Sequence, residues 1–237
     1  MLLLLTACLD YTERIDISRD GAATIYLKLR IAPTFHTLLR TNPAFKALAM
    51  LTDEQQLAEN LPQGLTLRKH VQAMTGGREV YINELYAPDA SKLRANGSPV
   101  FSGQSFTMET KPDGTLHYQR RLNFTSAMQD PKFAEMLREN KLGIVSILKS
   151  APFTFQVASP LKVLSTNGVE QDGVVTWSYD LYSLLNQPVE QDIVFAPPTA
   201  TDRVLGALRM MFEPRYFPIL AVVLLGLFFV VVRRRAH

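Results

Sequence analysis

Near the C-terminus the chain reads YFPILAVVLLGLFFVVV over residues 216–232, seventeen residues without a charge. As a helix this run spans about 25 Å, the short end of what a bilayer core demands. Flanking arginines can snorkel to close the gap. Pro218 falls in the first turn, where a missing N–H costs nothing. Arg233, Arg234 and Arg235 follow at once, against Arg215 alone before the run. The positive-inside rule therefore predicts a single-pass transmembrane helix with residues 233–237 cytoplasmic and the body outside. A buried core helix is the competing explanation, but an all-apolar helix so near the last residue has little chain left to cover it. A tail removed during lipid anchoring fits poorly with three arginines after the run.

Composition sharpens this picture. The chain has 237 residues, 47% apolar and 20% charged, which is too apolar for a disordered protein. Lys and Arg total 25 against 22 Asp and Glu, and setting aside the three terminal arginines balances the two at 22. A body without net charge makes no net electrostatic case for nucleic acid, which usually needs a basic face. One cysteine excludes an internal disulfide framework and any multi-cysteine metal site.

That cysteine closes the N-terminal stretch MLLLLTAC. Leu5-Thr6-Ala7-Cys8 has the aliphatic, small, small, Cys order of a bacterial lipobox, where a signal peptidase cuts before a cysteine that becomes acylated. A signal peptide also needs a basic region and a longer apolar run. Only Met1 and three leucines precede the box, so the true start is expected upstream. Cys8 is the expected lipidation site, and residues 1–8 are the expected remnant of the leader. An ordinary cysteine in a buried N-terminal strand is the alternative. The lipobox and the positive-inside rule agree independently that the body lies outside the cytoplasm.

Residues 9–196 must then form an extracytoplasmic domain, with 197–215 as a juxtamembrane linker or helix. Strands come as hairpins. Residues 23–31 alternate strictly, with Ala23, Ile25, Leu27, Leu29 and Ile31 on one face and Thr24, Tyr26, Lys28 and Arg30 on the other. They follow a strand at 11–18 and a turn at Arg19-Asp20-Gly21. Further hairpins are expected at 65–86 around Thr75-Gly76-Gly77 and at 105–124 around Pro112-Asp113-Gly114. The last strands are expected at 153–158, 161–164, 174–182 and 189–195. Helices are expected over 34–50 with a break at Asn42-Pro43, from the capping box Thr52-Asp53-Glu54-Gln55 to Asn60, and over 131–150 with a break at Gly143. The expected fold class is α+β, an antiparallel sheet built from successive hairpins with interposed helices, plus one C-terminal transmembrane helix.

Chemistry is sparse. His36, His70, His117 and His237 show no metal spacing, and no P-loop, dinucleotide fingerprint or nucleophile elbow occurs. Neither a catalytic residue, a metal nor a cofactor is indicated. Tyr11, Tyr26, Tyr81, Tyr86, Tyr118, Trp177, Tyr179 and Tyr182 all fall on expected strands. They could line a groove for a lipid or glycan, although Tyr and Trp are also simply good strand residues.

Three stretches carry a resemblance: Cys8-Leu9-Asp10 through Asp20-Gly21, then Asn167-Gly168, then Val175-Thr176-Trp177-Ser178-Tyr179-Asp180-Leu181 ahead of a final strand and the apolar run. This layout is similar to the LppM-like lipoprotein domain family of bacteria, although residues 34–150 are longer and more helical than that family suggests. The resemblance implies a cell-envelope role, with lipid or glycolipid binding, and supplies no enzymatic motif. The expected protein is thus a non-enzymatic lipoprotein ectodomain at the bacterial cytoplasmic membrane, partnered by that membrane and by a lipid or glycan ligand. The alternative is a scaffold or assembly partner for another envelope protein. The first and last strands are expected in one sheet, so that both anchors reach one membrane.

Overall fold

The computed structural model describes residues 8–19, 21–41, 45–92, 104–129, 131–139, 141–197 and 199. The chain divides into two units, 1–197 and 198–237. The first is mostly sheet, with short helices between the strands.

Strict alternation makes the first hairpin. β1 (Leu9–Ile17) and β2 (Ala23–Ile31) bury every second residue. They pair antiparallel from Leu9↔Ile31 to Ile17↔Ala23. β3 (Thr66–Thr75) and β4 (Arg78–Ala87) form the next hairpin. Its two-residue turn places Gly76 and Gly77 at φ 59° and 74°, a mirror-image turn whose positive dihedrals glycine adopts without strain. β4 joins the outer edge of β2. β7 (Pro152–Ala158) joins the free edge of β1, β10 (Val174–Asp180) joins β7, and β9 (Val169–Gln171) joins β10. The result is a seven-stranded sheet in the order β3-β4-β2-β1-β7-β10-β9. β5 (Gln104–Thr110), β6 (Leu116–Leu122), β8 (Val163–Thr166) and β11 (Val189–Phe195) form a second sheet in the order β5-β6-β11-β8.

One face of the large sheet is covered twice over. Toward β4 the cover is helical: α1 (Pro33–Thr41), α2 (Lys46–Met50) and α3 (Glu54–Glu59). The Leu51 carbonyl, just after α2, accepts a 3.0 Å hydrogen bond from Asn83 Nδ2 on the inward side of β4. Phe35, Phe45 and Phe133 stack edge to face and tie α1 and the start of α2 to α4 (Pro131–Glu139). Toward β1, β7 and β10 the cover is the second sheet. α5 (Lys141–Lys149) and α6 (Leu181–Asn186) complete the described helices. α6 buries Leu181, Leu184 and Leu185, each worth roughly 1.5–3 kcal/mol.

Several expectations need correction. The large sheet is mixed rather than antiparallel, because β1 and β7 run parallel. A parallel neighbour cannot come from a hairpin and requires a long crossover, here everything from β2 to α5. No helix among the described residues is long and apolar enough to cross a membrane. α1, α4 and α5 have nine residues each, about 13 Å of helix against a ~30 Å hydrocarbon core. The expected transmembrane segment at 216–232 lies outside the described residues, so the expected fold of an antiparallel body with a C-terminal membrane helix does not describe this structure. β1 and β11 lie in different sheets, not one.

Smaller shifts have local causes. α3 is capped by Asp53, whose Oδ1 accepts from Gln56 N at 2.9 Å, while Thr52 turns back to the Ala49 carbonyl. The N-cap thus falls one residue later than the expected box places it. Gly143 lies inside α5 rather than at a break. The strand expected to run to residue 182 stops at Asp180, whose carboxylate accepts from Ser183 N and Ser183 Oγ, both at 2.8 Å, and starts α6.

Asn167 and Gly168 clasp the two sheets. Asn167 Oδ1 accepts from Trp177 Nε1 of β10 at 2.8 Å and from Asp192 N of β11 at 3.0 Å, and Asn167 Nδ2 donates to the Glu190 carbonyl at 2.9 Å. Gly168 passes so close to the indole that an added Cβ would sit 2.7 Å from Trp177 and from Val175. Gly168→Ala should therefore lower stability by about 1–3 kcal/mol through overpacking, read as a fall in denaturation midpoint at unchanged slope. An unchanged midpoint would show that the indole moves freely.

Candidate functional site

In three strands the alternation that buries apolar residues also buries a polar one. On β1 the inward series is Leu9, Tyr11, Glu13, Ile15 and Ile17. On β6 it is Leu116, Tyr118, Arg120 and Leu122, and on β11 it is Val189, Gln191, Ile193 and Phe195. Register brings these together. Glu13 lies beside Phe155 of β7, which lies beside Trp177 of β10. Arg120 lies between Phe106 of β5 and Gln191 of β11.

The two rows face each other across the seam between the sheets. Arg120 Nη1 and Nη2 donate to the two carboxylate oxygens of Glu13 at 2.7 and 2.8 Å, a forked pair whose side chains are each 2% exposed. Tyr11 donates to Glu13 Oε2 at 2.8 Å, and Arg120 Nη2 also donates to Gln104 Oε1. The guanidinium carbon lies 4.9 Å from the Phe155 ring centre. Tyr118 donates to Gln191 Oε1 at 3.5 Å, the limit of a hydrogen bond.

This environment shifts the groups that share it. Burial raises the Tyr11 phenol well above its ordinary value, with the Glu13 charge adding to the effect. Burial also pushes Tyr118 up to about 12, with Arg120 opposing. For Arg120 burial works against the charge, but Glu13 and the tyrosines outweigh it, so the guanidinium is held more firmly protonated. Tyr179, half-buried at the margin of the seam, is raised by burial while Gln191 and Arg120 pull the other way. Two donors stay unsatisfied among the described residues of the seam: Arg120 Nε and Gln191 Nε2.

A second polar group sits where α1 meets β4. Tyr81 donates to Glu79 Oε2 at 2.6 Å and accepts from Gln72 Nε2 at 3.2 Å, while His36 Nδ1 lies 3.5 Å from Glu79 Oε1. Burial, then the bond to Glu79, pushes Tyr81 up to about 12. His70 Nδ1 meets Asn83 Oδ1 at 2.6 Å on the inward side of the sheet. His117 Nε2 lies 3.0 Å from Thr115 Oγ1, and His237 is outside the described residues.

Cys8, the expected lipidation site, is half-buried and in no disulfide. It immediately precedes β1, and its carbonyl accepts from Ala32 N at 2.8 Å. Among the described residues no group of three or more His, Cys, Asp or Glu is placed to hold a metal. The aromatic residues do not line one groove. Tyr11, Tyr81, Tyr118 and Trp177 are buried, Tyr26 is exposed, and Tyr86 lies half-buried on the outer face under the Arg68 guanidinium.

The structure is similar to the folded domain of the LppM protein from Mycobacterium tuberculosis. The likeness covers 85% of this chain and 96% of that one, at 13% sequence identity and a TM-score of 0.41. No family model matches the chain, and no curated protein does.

Two measurements test the seam. Arg120→Met should cost about 3–5 kcal/mol by stranding the Glu13 charge, whereas the double change with Glu13→Leu should recover most of that loss. Urea unfolding of both variants decides it, and equal loss in the two would show that the pair is not the unit. The tyrosines set the alkaline limit. Both folded pKa values are raised, so each contribution is complete below the unfolded value near 10 and is lost as pH rises beyond it, through about 12 for Tyr118. Stability should fall by about 1.4 kcal/mol per pH unit for each of Tyr11 and Tyr118 across that window. Tyr118→Phe should flatten the fall, measured by unfolding midpoints at successive pH.

Proposed function

We propose that this chain is a non-enzymatic binding domain of a bacterial envelope lipoprotein, held on the outer side of a membrane by an acyl group on Cys8 and engaging a lipid or glycolipid there. The observation that carries the reading is the junction at Cys8. The residue that the lipobox pattern marks for acylation is followed at once by β1, the central strand of the large sheet, with no intervening linker. An acyl group at that point would hold the start of the core itself against the bilayer surface.

A second reading, a scaffold for another envelope protein, draws on β3. This ten-residue strand ends the large sheet, is exposed along most of its length, and pairs only with β4 among the described residues. Such an edge can accept a partner strand, although Arg68 and Lys69 on it are charges of the kind that discourage unspecific pairing.

Labelling of cells with a fatty-acid analogue, using the gene with its full leader, should mark the wild type and spare Cys8→Ser. Solvent extraction of the purified wild type should release a lipid or glycolipid visible by mass spectrometry. Equal labelling of both forms removes the anchor, and an extract free of lipid removes the ligand.

A further inference from the structure

Two donors of the seam are left without a close acceptor. Glu13 accepts from Tyr11 and from both Arg120 Nη atoms, and Gln104 takes a further bond from Arg120. Arg120 Nε and Gln191 Nε2 remain over, on residues that are 4% and 0% exposed. They belong to directly opposed residues on neighbouring strands, so both project into one small region. A buried donor without an acceptor costs about 1–3 kcal/mol, and native interiors seldom leave two together. Half-buried Gln104, which accepts from Arg120, and half-buried Tyr179, beside Gln191, border this region.

We propose that this point in the seam binds the oxygen acceptor of a neutral ligand, a sugar hydroxyl or an acyl-ester carbonyl, held by Gln191 Nε2 and Arg120 Nε. The inference rests on the lipid or glycolipid reading above and gives it a place and a chemistry. Neutrality follows from charge. Glu13 already compensates Arg120, so an anion entering here would set two buried negative charges against one guanidinium. The acceptor must also be small where it enters, because aromatic rings fill the rest of the seam: Tyr11 against Phe153 and Phe155, Phe106 against Tyr118, Tyr118 against Trp177.

Trp177 supplies the readout, being the one tryptophan of the chain and stacked on Tyr118 with ring centres 6.2 Å apart. The full chain is titrated with octyl glucoside below its micellar concentration, with dioctanoylglycerol, and with octyl phosphate as the anionic counterpart. A saturating change in Trp177 fluorescence with either neutral probe, and none with octyl phosphate, is expected, and which probe acts separates the sugar from the ester source. Gln191→Met should weaken that binding about tenfold, and because it also removes the acceptor of the buried Tyr118 hydroxyl, its folding is checked by its urea midpoint. In the wild type, the Gln191 side-chain amide resonance should shift as the probe binds, a test that does not depend on the variant folding. If a probe binds but the Gln191 resonance is unmoved, or Gln191→Met binds equally well, the seam site is wrong and the binding reading survives. If no neutral probe binds, both fall and the two donors serve trapped water.

Discussion

A carboxylate and a guanidinium, both stripped of water, hold each other across the gap between two sheets. Glu13 and Arg120 could not remain there singly, since each ion would lose several kcal/mol of hydration with nothing in return. Their forked contact is therefore a condition on everything around it. β1 must sit in the middle of the large sheet, β6 in the middle of the small one, and the register of each must turn these residues inward. A slip of one residue in either strand would reverse the faces and send the charge to solvent and its neighbours with it. A purely apolar seam would tolerate sliding of one sheet over the other, whereas a two-pronged bond does not.

Much of the layout is legible in the sequence. Ala23 to Ile31 announces β2 by alternation alone, and Gly76-Gly77 announces the turn between β3 and β4 by the dihedrals that only glycine takes easily. The Asp53 and Asp180 caps show how fine the remaining errors are, since each moves a boundary by one or two residues. Other features are invisible locally. Nothing in 152–158 says that it pairs in parallel with a strand more than a hundred residues earlier, because periodicity reports which face is buried and not which neighbour covers an edge. The apolar run at 216–232 is plain as composition and lies outside the described residues.

The seam itself had a signal that simple patterning passes over. Glu13, Arg120 and Gln191 each interrupt an apolar series at the inward phase of a strand. Taken one at a time they look like irregular alternation. Taken together, an acid, a base and an amide on three inward faces foretell a buried polar group shared by all three, since none can be inward alone. The tyrosines misled for a related reason: residue type favours strands on either face, and only phase separates buried Tyr11 and Tyr118 from exposed Tyr26.

The parallel pairing of β1 with β7 also sets an order of events. A chain made from its N-terminus completes the first hairpin early, yet β1 keeps an open edge until residues 152–158 are made, and Glu13 waits 107 residues for Arg120. Loop closure over such separations is slow, and the topology belongs with folds of high contact order. Until then the first hairpin presents an apolar face and a raw strand edge, the features that invite association with other chains. The charged residue that locks the finished core serves the unfinished one differently. While unpaired, Glu13 keeps the inward face of β1 hydrated and makes premature burial of that strand unfavourable.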